Sequence, residues 1–252
     1  MNWRAPACPC GAVAGAKRMP KSQMAIDGFK RAAAERAVAM IADGMTVGLG
    51  SGTTAEFALA VLAERIAGGL RVAGVPTSER IADLARRHGI PLVPFDGRSI
   101  DLAIDGADEI EQGTLNLIKG GGGSLVREKL VARASRRFIV IADDRKLVDR
   151  LGASAPLPVA LLPFARARAL MELAAVGVPG AIRQVDGRDF VTDDGLVIAD
   201  CTCGVIADPL LLATRIAAVP GVIDSGLFVG LVTEAIVASA AGVRAFTLAP
   251  RP

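Results

Sequence analysis

Between Asp105 and Lys129 the chain reads DGADEIEQGTLNLIKGGGGSLVREK, which gathers two aspartates, a lysine, four consecutive glycines and a helix-opening Arg-Glu-Lys into one short window. The chain has one histidine, His88, and no tyrosine. Proton transfer in this window must therefore run through carboxylates and lysines, and Glu128, in the first turn of the helix predicted over LVREKLVARAS, is the natural general base. With Ser124 as the cap of that helix, a capping box would want its acid at position 127, where Arg127 stands, so Glu128 misses the capping role by one residue. Asp105 and Asp108 can turn both carboxylates toward one point if their loop makes a single turn, and such a pair raises one pKa and leaves one donor and one acceptor. The alternative is an Asp-Gly turn with solvated acids, but the apolar approach LAI delivers Asp105 just as a strand leaves the core. Four glycines lose much backbone entropy on ordering, so Gly120 to Gly123 point to backbone held close to something. Their amides could hold oxygen atoms, and Lys119 could stabilise a developing oxyanion. A flexible linker is the alternative, weakened by its place between Ile118 and an amphipathic helix. His88, just before Gly89, reads as a cation at a helix end.

A second stretch, VGLGSGTTAEF, is not a dinucleotide fingerprint. Thr53 stands where the third glycine belongs, and the next strand ends in Pro76-Thr77-Ser78 instead of an acid. What remains is a small-residue turn, Ser51-Gly52-Thr53-Thr54, at a helix N-terminus. It suits an anion the size of one phosphate. It equally suits a tight turn that needs glycine and a Ser/Thr cap, and the residues alone leave the two readings even.

The elements that must position these groups alternate. FKRAAAERAVAMI reads as a helix stopped by Gly44, MTVGLG as a buried strand, AEFALAVLAERIA as a helix and RVAGVP as a strand. ERIADLARRHG follows as a helix capped by Thr77 or Ser78, then PLVPF and DLAID as short strands, LVREKLVARAS as a helix and RFIVIAD as a strand. Such alternation predicts an α/β fold, a Rossmann-like, mostly parallel sheet covered by helices. Ligands bind beyond the carboxyl ends of such strands, so GSGTT, DGADE and ADDRK should converge on one crevice. After Gly152 the pattern becomes strand, helix, hairpin (DFVTDDGLVIADC), helix and strand (GVIDSGLFVG), a smaller α+β second domain of split βαβ, ferredoxin-like type. The final VTEAIVAS-AAG-VRAFTLA is a hairpin returning to the first sheet. The expected division is residues 24–152 and 231–252 for the catalytic domain, 153–230 for the small domain, and 1–23 as a disordered extension or an upstream start.

Lysines and arginines, 29 against 26 acids, are scattered, and aromatics make up 4%, so stacking platforms for nucleic acid are not expected. No apolar run approaches the ~20 residues of a membrane span, and the N-terminus, with no continuous apolar stretch, reads as a poor secretory signal, its lack of acids before Asp27 only a faint mark of a transit peptide. The four cysteines form Cys8/Cys10 and Cys201/Cys203. Cys-x-Cys is not the usual zinc spacing, and the second pair falls on alternate positions of a strand as small core residues, so no metal is expected and a reducing cytoplasm fits.

From about Ala25 to Pro252 the chain resembles the ribose-5-phosphate isomerases of the A type. The resemblance rests on GLGSGTTA, DGADEI, KGGGG followed by LVREK, IADDRKLVD, LPVALLP, GVIADP and PGVIDSGLF. It implies interconversion of ribose 5-phosphate and ribulose 5-phosphate without cofactor or metal, in the non-oxidative pentose phosphate pathway. It implies Glu128 as the base moving a proton between C1 and C2 through an enediolate, Asp105 assisting ring opening, and Asp108 and the Lys119 loop steadying the reacting oxygens. Substrate contacts would come from Ser51, Gly52, Thr53 and Thr54, from Asp105, Gly106, Ala107 and Asp108, from Lys119 with Gly120, Gly121 and Gly122, and from Lys146. A homodimer or homotetramer is implied. The family loop more often reads Gly-Thr-Gly-Ser-Thr, against Gly50-Ser51-Gly52-Thr53-Thr54 here, which preserves the hydroxyls by type. The alternatives are a sugar-phosphate sensor, which would need a DNA-binding module neither end offers, and a coenzyme A transferase-like enzyme with Glu128 as nucleophile.

Overall fold

The structure, a computed structural model, describes residues 21–248. The chain begins as α1 (Lys21–Val38), β1 (Thr46–Leu49), α2 (Thr53–Ala67), β2 (Ala73–Pro76), α3 (Glu79–Arg87) and β3 (Leu102–Asp105). A short hairpin, β4 (Glu109–Glu111) and β5 (Leu117–Ile118), leads to α4 (Leu125–Ala134), β6 (Phe138–Asp143) and β7 (Leu147–Val148). Next come β8 (Leu157–Leu161), α5 (Arg166–Ala175), β9 (Gly180–Ile182), the ribbon β10 (Gln184–Val185) and β11 (Arg188–Asp189), and β12 (Val197–Cys201). The chain ends with α6 (Pro209–Ala217), β13 (Val222–Ser225), β14 (Leu227–Phe228), β15 (Glu234–Ser239) and β16 (Gly242–Thr247).

The main sheet has the order β16-β15-β6-β3-β1-β2, parallel throughout except for the edge pair β15–β16. Its central strands are apolar on both faces because helices cover both. FIVIA of β6 is buried along its whole length. On α1, Ala33, Ala34, Ala37 and Val38 form one packed stripe at helical spacing. The second sheet, β13-β8-β12-β9, is antiparallel and carries α5 and α6, the expected ferredoxin-like arrangement. The C-terminal hairpin returns to the main sheet as expected.

Four readings need correction. PLVPF is not a strand: Pro91 and Pro94 remove backbone donors, and only a bridge between Leu92 and Gly74 forms. The first arm of DFVTDDGLVIADC contributes a single bridge, Val191 to Val197, and β12 pairs instead with β8 and β9. GVIDSGLFVG breaks at Gly226, where β13 ends and β14 joins a third sheet, β14-β5-β4-β7, that the sequence pattern did not suggest. Gly226 donates to Pro158 O and accepts from Lys119 N, and a Cβ there would lie 2.2 Å from the Lys119 carbonyl, so the chain crosses at its narrowest residue. Residues 21–23 open α1 instead of belonging to an extension; the rest of that extension, with Cys8 and Cys10, lies outside the described residues.

The hairpin and the second sheet are tied by one carboxylate. Glu109, fully buried on β4, accepts from Gly152 N (2.6 Å), Ser154 N (2.5 Å), Ser154 Oγ (2.8 Å) and Ala155 N (2.7 Å), fixing the segment that enters β8. Glu109→Ala would leave those donors unpaired and should destabilise the protein by about 3 kcal/mol in urea denaturation, against a surface substitution such as Glu35→Ala within about 0.5 kcal/mol. A loss below about 1 kcal/mol would mean the tie contributes little.

Candidate active site

The strands β1, β3 and β6 lie side by side, so the loops at their carboxyl ends meet, as the parallel topology requires. Gly50 sits directly against Asp105: a Cβ there would stand 2.3 Å from the aspartate carboxyl, so only glycine allows the β1 loop to pass this close. Asp105 ends β3 with its carboxylate held by the Gly106 amide (2.7 Å) and the Lys119 ammonium (2.9 Å). Lys119, which follows β5, also donates to Gly106 O (2.7 Å), and its Nζ lies 3.2 Å from Oε2 of Glu128. Glu128 comes from the first turn of α4. The side chains of all three are at least 96% buried.

One cation therefore serves two acids away from water. Burial works against the Lys119 ammonium, but Asp105 and Glu128 outweigh it and raise its pKa. Burial pushes Glu128 up to about 8, offset in part by Lys119 and reinforced by Asp105. Asp105 is also raised by burial, against Lys119 and the neighbouring amides. With one positive charge for two carboxyls, the pair retains a shared proton near neutrality. Oε2 of Glu128 is buried, and the Lys119 ammonium at 3.2 Å is the polar group that faces it. A carboxyl buried away from water, held by one ammonium and raised in pKa, is suited to take and return a proton.

Glu128 and Lys119 open onto a cleft of about 170 Å³. Gly106, Ala107, Asp108 and Gly120 to Gly122 form one wall, and Gly52, Thr53 and Thr54 form another. Asp108 accepts from the Gly121 amide (2.8 Å). Among the described residues the Gly122 amide finds no protein acceptor. α2 starts at Thr53 with no side-chain cap, so its first amides are free at the cleft. Lys146 and Arg145, beyond β6, face the same space. Together they form an anion cradle of helix-end amides, hydroxyls and cations.

The residues named from sequence come together, with three adjustments. Asp105 lies behind the cleft wall, not on it, and reaches the site through Lys119. The carboxyls that bracket one cation are Asp105 and Glu128, not Asp105 and Asp108, because the β4–β5 hairpin turns Asp108 toward Gly121. Ser51 lines the cleft, but its hydroxyl is committed to Thr77 (2.8 Å) and Ser78 (3.0 Å) at the start of α3. Ser124 caps α4 by backbone only. Sequence reasoning missed Lys30 of α1, buried, whose ammonium donates to Thr53 Oγ1 (2.9 Å) on the cleft wall. The signal was available: Lys30 precedes Ala33, Ala34 and Ala37 on the inward stripe, where a lysine without a task would be costly. Among the described residues no group of three or more His, Cys, Asp or Glu side chains is disposed to hold a metal, and Cys201 and Cys203 pack in the core of the second sheet.

The sequence profile of the family described as Ribose 5-phosphate isomerase A (phosphoriboisomerase A) matches residues 73–242. Ribose-5-phosphate isomerase A of Gloeobacter violaceus is 50% identical over 233 residues, covering 91% of this chain and all of that protein. Among solved structures, ribose 5-phosphate isomerase A from Methanocaldococcus jannaschii superposes with a TM-score of 0.84 at 38% identity, over 88% of this chain and 99% of that one. A D-ribose-5-phosphate isomerase in complex with phospho-erythronic acid does so with a TM-score of 0.85 at 36% identity and the same coverage.

The buried cluster predicts how stability follows pH. Folded Glu128, with its pKa pushed up to about 8, keeps a proton that the unfolded chain releases near 4.5, so the folded state binds more protons between these values. Stability should fall as pH rises through that window. Glu128→Gln should show a visibly shallower decline in denaturation midpoints between pH 5 and 8. Parallel curves for the two proteins would mean that Glu128 ionises as an ordinary glutamate.

Proposed function

The chain belongs to the ribose 5-phosphate isomerase A family, an aldose–ketose isomerase of ribose 5-phosphate and ribulose 5-phosphate, and we propose here how its own residues carry that reaction. Glu128 takes the proton from C2 of the open-chain aldose as the C1 carbonyl oxygen gains charge, forming an enediolate. The same carboxyl returns the proton to C1, and a proton passes from O2 to O1, giving the ketose. The observation that carries this reading is the buried Glu128 carboxyl, 3.2 Å from an ammonium and on one cleft with the Gly120 to Gly122 backbone.

Lys119 is already bonded to protein oxygens, so it acts as a fixed positive charge beside the enediolate more than as a donor to it. The Gly122 amide supplies the donor. Asp105 holds Lys119 in place. Asp108, half-buried on the cleft wall, is better placed than Asp105 to exchange a hydroxyl proton during ring opening. Lys30, Thr53, Thr54 and Lys146 take the phosphate. A phosphate and a carboxylate on one short chain, as in the phospho-erythronic acid bound to a related isomerase, match the two ends of such a cleft.

We further propose a homodimer or homotetramer working in the cytoplasm. Exposed Leu162, Phe164 and Ile223 support self-association, and the free thiols of Cys201 and Cys203 support a reducing compartment. No helix among the described residues is long and apolar enough to cross a membrane.

In a coupled assay of ribose 5-phosphate conversion with a chelator present, Glu128→Gln should lower kcat by ~10²–10⁴ with little change in KM, as loss of a general base does. Near-parental turnover would remove Glu128 from the role. The parent's kcat/KM should rise with pH through about 8 as Glu128 ionises. Lys30→Met should instead raise KM by about tenfold or more while leaving kcat closer to the parent, the signature of lost ground-state binding.

A further inference from the structure

The four glycines of the Lys119 loop have no side chains to hold them, yet one wall of the cleft depends on their orientation. The contact that orients them comes from the second sheet. Arg183 stands between β9 and β10, its side chain 14% exposed. Its own backbone is pinned, donating to Ile198 O (2.7 Å) and accepting from Phe190 N (2.8 Å). Nε and Nη2 fork onto the Asp200 carboxylate of β12 at 2.8 and 2.5 Å. That fork aims Nη1 at two carbonyls at once, Gly120 O (3.0 Å) and Gly121 O (2.9 Å). The guanidinium also lies 5.7 Å from the ring centre of Phe190, and that ring fills the space where a Gly123 Cβ would be, 2.4 Å away.

A trans peptide unit is planar, with its C=O and the next N–H pointing in opposite directions. Drawing Gly120 O toward Arg183 therefore turns the Gly121 N–H the other way, onto Asp108 Oδ2. Drawing Gly121 O toward Arg183 turns the Gly122 N–H away from the guanidinium, and Gly122 lines the cleft. We infer that Arg183, held by Asp200, is a positioning residue for the isomerisation: it sets the Gly122 amide as a donor to the reacting sugar oxygens and sets Asp108 through the Gly121 amide. This rests on the assignment of the cleft to the sugar phosphate and of Glu128 as its base. Lysine cannot replace the arginine fully, because one ammonium lacks the planar fork that binds a carboxylate and two carbonyls together.

Steady-state kinetics on ribose 5-phosphate for Arg183→Met, Arg183→Lys and Asp200→Asn, with inorganic phosphate as a competitive inhibitor and melting temperatures measured alongside, test the inference. Arg183→Met should lower kcat about 10- to 100-fold, as loss of an oriented oxyanion donor does, while KM and the phosphate inhibition constant move by less than about threefold, because the phosphate end has separate supports. Arg183→Lys and Asp200→Asn should fall between it and the parent. A folded Arg183→Met enzyme with kcat within about twofold of the parent overturns the inference, as does a loss shared equally by kcat and phosphate inhibition, which marks general disruption. If Arg183→Met does not fold, Arg183→Lys decides on the same criteria. Glu128→Gln, run in parallel, separates the two assignments: an active Glu128→Gln defeats the reading of the cleft itself, whereas an inactive one beside a fully active Arg183→Met defeats only the role of Arg183.

Discussion

A single ammonium, Lys119, enclosed with the carboxyls of Asp105 and Glu128, governs the arrangement of everything around it. Removing three ionisable groups from water is costly unless each is paired, and here the pairing is deliberately short by one positive charge. Burial lifts the Glu128 carboxyl into the range where it can accept and return a proton near neutrality, Lys119 offsets only part of that, and Asp105 adds to it. The site thus stores its reactivity as an electrostatic imbalance, and the surrounding packing exists to keep water from relieving it. Phe228 contributes to that seal, with its ring facing Lys119 at 5.6 Å and Lys129 at 5.0 Å, and with Lys129 anchored to Asp224 and Ser225 O.

Much of the frame was legible in the chain itself. The alternation of FIVIA-type strands with alanine-rich helices pointed to a parallel, covered sheet, and Asp105 at the end of LAID pointed to a strand terminus at a crevice. The chemistry of Glu128 was legible because so few alternatives existed in a chain with one histidine and no tyrosine. What periodicity did not convey was contact across distance. Asp108 is turned from Asp105 by a hairpin of only five residues in its strands, too short for an alternating pattern to register. Lys30 joins the cleft from 23 residues upstream of its partner Thr53, a pairing visible only once α1 is laid against α2. The break at Gly226 depends on a backbone crossing with Lys119, which no local signal encodes.

The second sheet supplies no residue to the proton transfer but holds much of what the main sheet alone would leave loose. Arg183 reaches the glycine carbonyls, Phe190 occupies the space over Gly123, and Asp194 pairs with Arg127 on α4, one residue before the base. Orientation is thereby provided from outside the loop, which lets the loop itself consist of backbone and approach a ligand without side chains in the way.

Glu109 follows Asp108 directly in the chain, and its carboxylate gathers the connector that leads into β8. The strand that carries Glu109 is therefore also the one that follows the Asp108 turn, so the connector and that turn are held through one short stretch of backbone. The aim of Asp108 at the cleft and the seating of the connector into the second sheet thus share one anchor in adjacent residues, so slack at either is felt by both.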